Sequence, residues 1–335
     1  MTAVLAVTGP IFALIGLGYV ITRIGLFDAG DLRALGRYVV MLALPALIFR
    51  AVTVGDLAAV IDPAYLAAYL GGSLATLAVG YGLGRRAGLD GAASTFQAMG
   101  MACANSGFMG YPILLIALPA AADSALALNM IVENLVVIPL ILVLAETSRG
   151  GGTRLFGSLR RVLGNPIVLA LVAGLVVALT PVTVPAALTQ AIDLVARSSA
   201  AVSLIVIGGT LVGVPLRAAG GRRIAAVVAG KLVLHPLSVA ACFVALASAG
   251  VAVDPTMMAA GVLAAAMPAM GVYPILAAQY GQGAPAAVAM LAMTVAAFFT
   301  IGALLCLLGL VPASRRRGAA ATPAPAPAAR AGRRW

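Results

Sequence analysis

The chain has 335 residues and a formal net charge of +11; 63% of its residues are hydrophobic and only 9% are charged. Soluble domains carry about 25% charged residues, so that class is excluded, as are disordered chains and nucleic-acid binders. A mean hydropathy of +1.11 leaves a polytopic α-helical membrane protein, and apolar runs of about 20 residues that do not alternate with polar ones argue against a β-barrel.

Ten predicted spans follow in chain order: 3–22, 34–51, 63–84, 92–118, 124–146, 164–181, 187–213, 224–249, 256–280 and 285–310. Each is long enough to cross about 30 Å of hydrocarbon. The first begins at Ala3 with no basic segment before it, which reads as a span and not as a cleavable signal. Cys103, Cys242 and Cys306 lie inside apolar runs and read as small packing residues, not as a disulfide framework. The bias toward alanine and arginine suggests a GC-rich bacterial genome, hence a multi-pass protein of the bacterial cytoplasmic membrane. Segment 313–335, rich in Ala, Pro and Arg, reads as a disordered tail.

Arginine placement sets the expected orientation. With the N-terminus outside, the cytoplasmic connections hold Arg23, Arg33, Arg37, Arg85, Arg86, Arg149, Arg154, Arg160, Arg161, Arg217, Arg222 and Arg223. The outer connections hold Arg50 with Asp56, Asp62, Asp123 and Asp254. Ten spans place the C-terminus outside as well, against the pull of Arg315, Arg316 and Arg317.

Tyr111-Pro112-Ile113-Leu114 recurs 162 residues later as Tyr273-Pro274-Ile275-Leu276, and Gly9-Pro10-Ile11 is echoed by Asn165-Pro166-Ile167. This divides the chain into a first five-helix repeat (1–147), a basic cytoplasmic connector (148–163), a second repeat (164–312) and the tail (313–335). An odd number of spans per repeat forces the second copy to insert upside down, as in many secondary transporters. Mid-span prolines with nearby glycines predict broken helices in spans 4 and 9, tolerated at membrane depth where they line a cavity. The half-helix N-terminal ends at such breaks suit an anion such as a carboxylate.

At these residues the chain resembles the auxin efflux carrier family of bacterial and plant transporters. The resemblance rests on Asn105-Ser106-Gly107-Phe108-Met109-Gly110-Tyr111-Pro112 in span 4 and on Ala266-Met267-Pro268 with Tyr273-Pro274 in span 9. Leu44-Pro45-Ala46, Asn165-Pro166-Ile167 and Lys231 to Pro236 support it. It implies an all-α polytopic membrane protein of ten transmembrane helices, built as two inverted five-helix repeats with broken, crossing helices 4 and 9. It implies a secondary carrier of small organic anions, malate or malonate in bacterial members and auxin in plant ones, working by an elevator-like movement. A homodimer is expected by analogy of fold. Substrate contacts are expected from Asn105, Ser106, Gly107, Gly110, Tyr111, Pro112, Met267, Pro268, Gly271, Tyr273 and Pro274. Met267 stands opposite Asn105 in the repeat, where the family often has a polar residue, so span 9 would contribute mainly backbone groups.

Polar residues inside a membrane are functional candidates by default. Asn105 offers donors and an acceptor and is the first candidate ligand. Asn129 and Glu133 are four apart and share a helix face, with Asn134 beside them. A carboxylic acid in low dielectric favours its neutral form, so Glu133 is a candidate proton carrier. Lys231 and His235 are also four apart, with Lys231 read either as snorkelling toward the cytoplasm, or as a partner of Glu133 or an attractor of the anion, and His235 as a group that could titrate near neutrality. Asp193 and Arg197 read as a structural ion pair, and the Gly80/Gly84 and Gly209/Gly213 pairs as helix-packing contacts.

No cofactor and no metal cluster is expected; H+ and Na+ are the candidate coupling ions. The expected partners are the organic anion and the bilayer, not nucleic acid. An enzyme is not expected. An intramembrane serine protease using Ser106 and His235 is a remote alternative, because Ala104 replaces the glycine of the rhomboid motif. An anion channel or a membrane sensor of the same fold is the nearer one.

Overall fold

A computed structural model describes residues 2–53, 61–148, 164, 166–180, 182–212 and 221–310. Asp56, Arg149, Arg154, Arg160, Arg161, Asn165, Gly213, Arg217, nearly all of the 148–163 connector and the 313–335 tail lie outside the described residues. The helices are α1 (Thr2–Arg23), α2 (Ala29–Thr53), α3 (Pro63–Arg86), α4a (Gly91–Ala102), α4b (Ser106–Ala117), α5 (Pro119–Thr147), α6 (Pro166–Leu179), α7 (Ala186–Thr210), α8 (Gly221–Ser248), α9a (Pro255–Ala265), α9b (Val272–Ala278) and α10 (Gly283–Leu307). Among the described residues six of these, α2, α3, α5, α7, α8 and α10, are long and apolar enough to cross a membrane. Spans 4 and 9, expected to be broken helices, are each interrupted, and span 6 yields a helix of only 14 residues.

Two aspartates placed above in outer connections, Asp62 and Asp254, are helix caps, and so are Asp28 and Asp90. Asp28, Asp62, Asp90 and Asp254 each accept hydrogen bonds from backbone N–H groups of the following first turn. An N-cap side chain satisfies donors that the helix cannot. Among the described residues Asp123, Glu133, Glu146 and Asp193 are then the acidic side chains left for other roles, apart from Asp31 in the Asp28 capping box. Donation from the Asp31 and Gly30 backbone holds the Asp28 carboxyl below its usual range.

Proline shapes the spans in an unexpected way. Pro45, Pro112, Pro139 and Pro236 each follow, by two residues, a widened π turn: Val39–Ala43, Ser106–Gly110, Val132–Val137 and Gly230–Leu234. A proline ring clashes with the carbonyl one turn back and offers it no N–H. Widening that turn moves the carbonyl aside and keeps the helix running. The expectation that Pro112 breaks span 4 is therefore corrected. The break lies upstream, at Cys103–Asn105, and Pro112 sits inside α4b. The Phe108 carbonyl, robbed of a Pro112 N–H, accepts instead from Ser203 Oγ of α7 at 3.1 Å.

The helices sort into two groups by their packing. α1 packs on α7, and α2 on α6 and α7; α3 packs on α4a and α8, with α5, α9a, α9b and α10 around them. Contacts of α2 with α5, of α7 with α4b and of α1 with α10 form the seam between the groups. Small residues permit the close approaches, as expected where packing and not hydrophobic transfer drives association. A Cβ on Gly72 of α3 would lie 2.6 Å from the Val239 backbone of α8, and one on Gly80 or Gly84 would meet Ala98 or Ser94 at 2.9 Å. Gly209 abuts Leu32 and Thr22.

Candidate functional site

The interruptions of α4 and α9 meet. Ala104 and Ala269 form an isolated antiparallel bridge, and the Asn105 N–H donates to the Pro268 carbonyl at 2.8 Å. Pro268 ends α9a because the residue before a proline is pushed out of the helical region. Ala104 N–H donates to Glu133 Oε1 at 3.3 Å. Backbone groups freed inside an apolar layer must find partners within the protein; here the two breaks and Glu133 supply them to one another. Asn105 Oδ1 accepts from Phe108 N–H at 3.1 Å and caps α4b. Its amide nitrogen has no hydrogen-bond partner among the described residues, and the residue is 7% exposed. A Cβ added to Gly271 would meet only open space.

Two ionisable side chains complete the centre. Glu133 Oε1 accepts from Tyr69 Oη at 2.9 Å, from Ser106 Oγ at 2.9 Å and from Ala104, while its buried Oε2 has no partner. One turn earlier Asn129 Oδ1 accepts from Tyr65 Oη at 2.9 Å, and its buried Nδ2 is likewise unpartnered. Lys231 Nζ donates to the carbonyl of Ala265, the last residue of α9a, at 2.9 Å and contacts His235 Nδ1 at 2.6 Å. With Lys231 as donor to Nδ1, the His235 proton is placed on Nε2, facing Ser73 Oγ at 3.0 Å. Lys231 thus stands at the C-terminal end of α9a and Glu133 beside the N-terminal end of α4b, where the charge each carries when ionised would oppose the partial charge of the helix end.

Several expectations change. Lys231 is fully buried and does not snorkel, and it forms no ion pair with Glu133. Asn134 stays on its own helix, donating to the Met130 carbonyl, so it does not join the network. Tyr111 turns away from the break and donates to Asp123 Oδ1 at 2.8 Å. Tyr273 is buried, with its hydroxyl the nearest group to Gly100. Met267 packs beside Gly110, and Gly107 backs onto Leu44. Ser106 bonds to Glu133 and His235 to Ser73 and Lys231, so the protease pairing does not form. Among the described residues no His, Cys, Asp or Glu cluster of metal-ligand type occurs.

The sequence reading missed the hydroxyls of α3. Tyr65, Tyr69 and Ser73 recur every four residues on one face, and that stripe in an apolar span was the available signal. It also missed Arg50, which bonds Asp193 as well as approaching Asp123. Glu146, buried at the far end of α5, accepts from Tyr280 Oη.

Interrupted apolar helices meet here at a buried polar centre, an arrangement that occurs in membrane transport proteins. The chain belongs to the family described as Membrane transport protein, matched over residues 3–305, the auxin efflux carrier family of the motifs above. It is 31% identical over 314 residues, 91% of this chain and 96% of the relative, to a protein of Rhizobium meliloti (strain 1021) named "Putative malonate transporter". It is also 31% identical over 105 residues, 31% of this chain and 34% of the relative, to an "Uncharacterized transporter" of Methanothermobacter thermautotrophicus.

Proposed function

We propose that the chain is a secondary carrier of small carboxylate anions, malonate or malate in size, in the bacterial cytoplasmic membrane. The carrying observation is the unpartnered Asn105 amide donor at the junction of the two breaks. A carboxylate there would accept from Asn105 Nδ2 in a site from which water is largely excluded. The malonate in the name of the Rhizobium meliloti relative agrees with that chemistry. The remaining ligands proposed are backbone groups around Gly271 and the Ser106–Gly110 turn.

The ten helices are proposed to form two inverted five-helix repeats whose broken members cross at the site. In support, Ser73 and His235, which occupy equivalent repeat positions 162 residues apart, hydrogen-bond to each other. Residues near a pseudo-two-fold axis meet their own equivalents. Movement is proposed to be elevator-like, the α3–α5 and α8–α10 group sliding along the seam with α1, α2, α6 and α7. Glu133 is the proposed proton carrier, its Oε2 being the free position.

The test is a thermal-shift panel in detergent with malonate, malate, longer dicarboxylates, short monocarboxylates and indole acids. A ligand for the folded state raises the melting temperature with its concentration. A dose-dependent rise with small dicarboxylates is expected; a rise with none of the acids would sink the assignment.

A further inference from the structure

We propose that Arg50 and Asp123 form a latch that holds the two helix groups together and must open in each transport cycle. Arg50 lies near the end of α2, far along that helix from Arg33 and Arg37. Its Nε bonds Asp193 Oδ1 of α7 at 2.5 Å, within the same group, and Asp193 is shared with Arg197 at 2.8 Å. Across the seam, Arg50 NH1 stands 3.6 Å from Asp123 Oδ1 at the start of α5. Among the described residues this is the only ion pair that joins the groups.

The geometry suits a bond meant to be broken. The contact with Asp193 is short and survives any sliding, because both residues ride on the same group. The contact with Asp123 is longer than a hydrogen bond and half-exposed, at 25% and 39% for the two side chains. Pairs of that kind hold weakly and are released at little cost. When the latch opens, neither charge is stranded. Arg50 keeps Asp193, and Asp123 keeps the Tyr111 hydroxyl at 2.8 Å. Leaving a buried charge without a partner would be far costlier. Tyr111 also ties the latch to the candidate site, since it follows Asn105 by six residues along α4b. The inference rests on the sliding proposed above, but its test does not require a known substrate.

The measurement is the labelling rate of Phe108→Cys by a membrane-impermeant maleimide, after subtracting the parent chain with Cys103, Cys242 and Cys306. Phe108 sits on the seam, its carbonyl bonded to Ser203 of α7. Asp123→Asn keeps an acceptor for Tyr111, and Arg50→Gln leaves Asp193 with Arg197. Each is expected to raise the labelling rate by up to about five-fold. The double variant should rise no further than either single one, and Asp123→Glu should label at the parent rate. Unchanged labelling in both single variants, or a double variant in which the two effects multiply, would overturn the latch. Absence of carboxylate flux with the labelling cycle intact would instead count against the substrate assignment.

Discussion

Glu133 is the residue whose replacement discriminates most sharply between a structural and a coupling role. Its Oε1 collects three donors, Tyr69, Ser106 and Ala104, while Oε2 is buried without a partner. In Glu133→Gln the amide oxygen can take the place of Oε1 and keep all three donors. The amide nitrogen then occupies the empty position and leaves N–H groups unsatisfied, a cost of about 1–3 kcal/mol. Glu133→Ala strands the three donors together and opens a void, so it should cost at least about 3 kcal/mol on the same scale. Melting in detergent should rank wild type above Gln and Gln well above Ala. In proteoliposomes Glu133→Gln should still move the anion down its own gradient but no longer respond to an imposed pH gradient. Equal melting of the Ala and Gln variants would refute the hydrogen-bond account, and an undiminished pH-gradient response in Glu133→Gln would refute the coupling role.

Asn105→Asp preserves the oxygen that caps α4b but removes the free donor and adds a negative charge. It should melt near wild type and lose the ligand-induced shift, whereas Asn105→Ala should also lose about 0.5–2 kcal/mol of cap; a retained shift in Asp would remove Asn105 from the site. Pro268→Ala should impair flux more than Pro112→Ala, measured at equal protein per liposome, because only Pro268 lies in an interruption; the reverse order would contradict the placement of the breaks. Gly72→Val drives a side chain into the Val239 backbone, at 2.6 Å from the added carbon, and should destabilise by about 1–3 kcal/mol in a melting experiment; wild-type melting would mean that α3 and α8 separate freely.

Much of the scaffold was legible because the bilayer imposes length and composition on each span. The two interruptions were legible from the paired Tyr-Pro stretches, and the Asn129/Glu133 and Lys231/His235 pairs from their spacing of four. The position of the first break was not, since a mid-span proline is easily taken for the breaker. Pro45, Pro112, Pro139 and Pro236 are absorbed by π turns, and Ser106, Glu133 and Lys231 all lie in such turns, five or six residues before a proline. A polar residue at that distance ahead of a mid-span proline is a signal the sequence carried. The partner of Lys231 was not legible either. It is a carbonyl at the end of α9a, exposed only because that helix stops. The Arg50–Asp123 contact joins α2 to α5, helices not adjacent in the chain, through packing that no local pattern encodes.

The central claim is that a small carboxylate binds where the interrupted helices meet and is carried across. Uptake of radiolabelled malonate and malate into proteoliposomes tests it directly, comparing wild type with Asn105→Asp. Saturable uptake by wild type, abolished in Asn105→Asp with the protein still folded, is the predicted result. No saturable uptake by wild type, or equal uptake by both proteins, would contradict it.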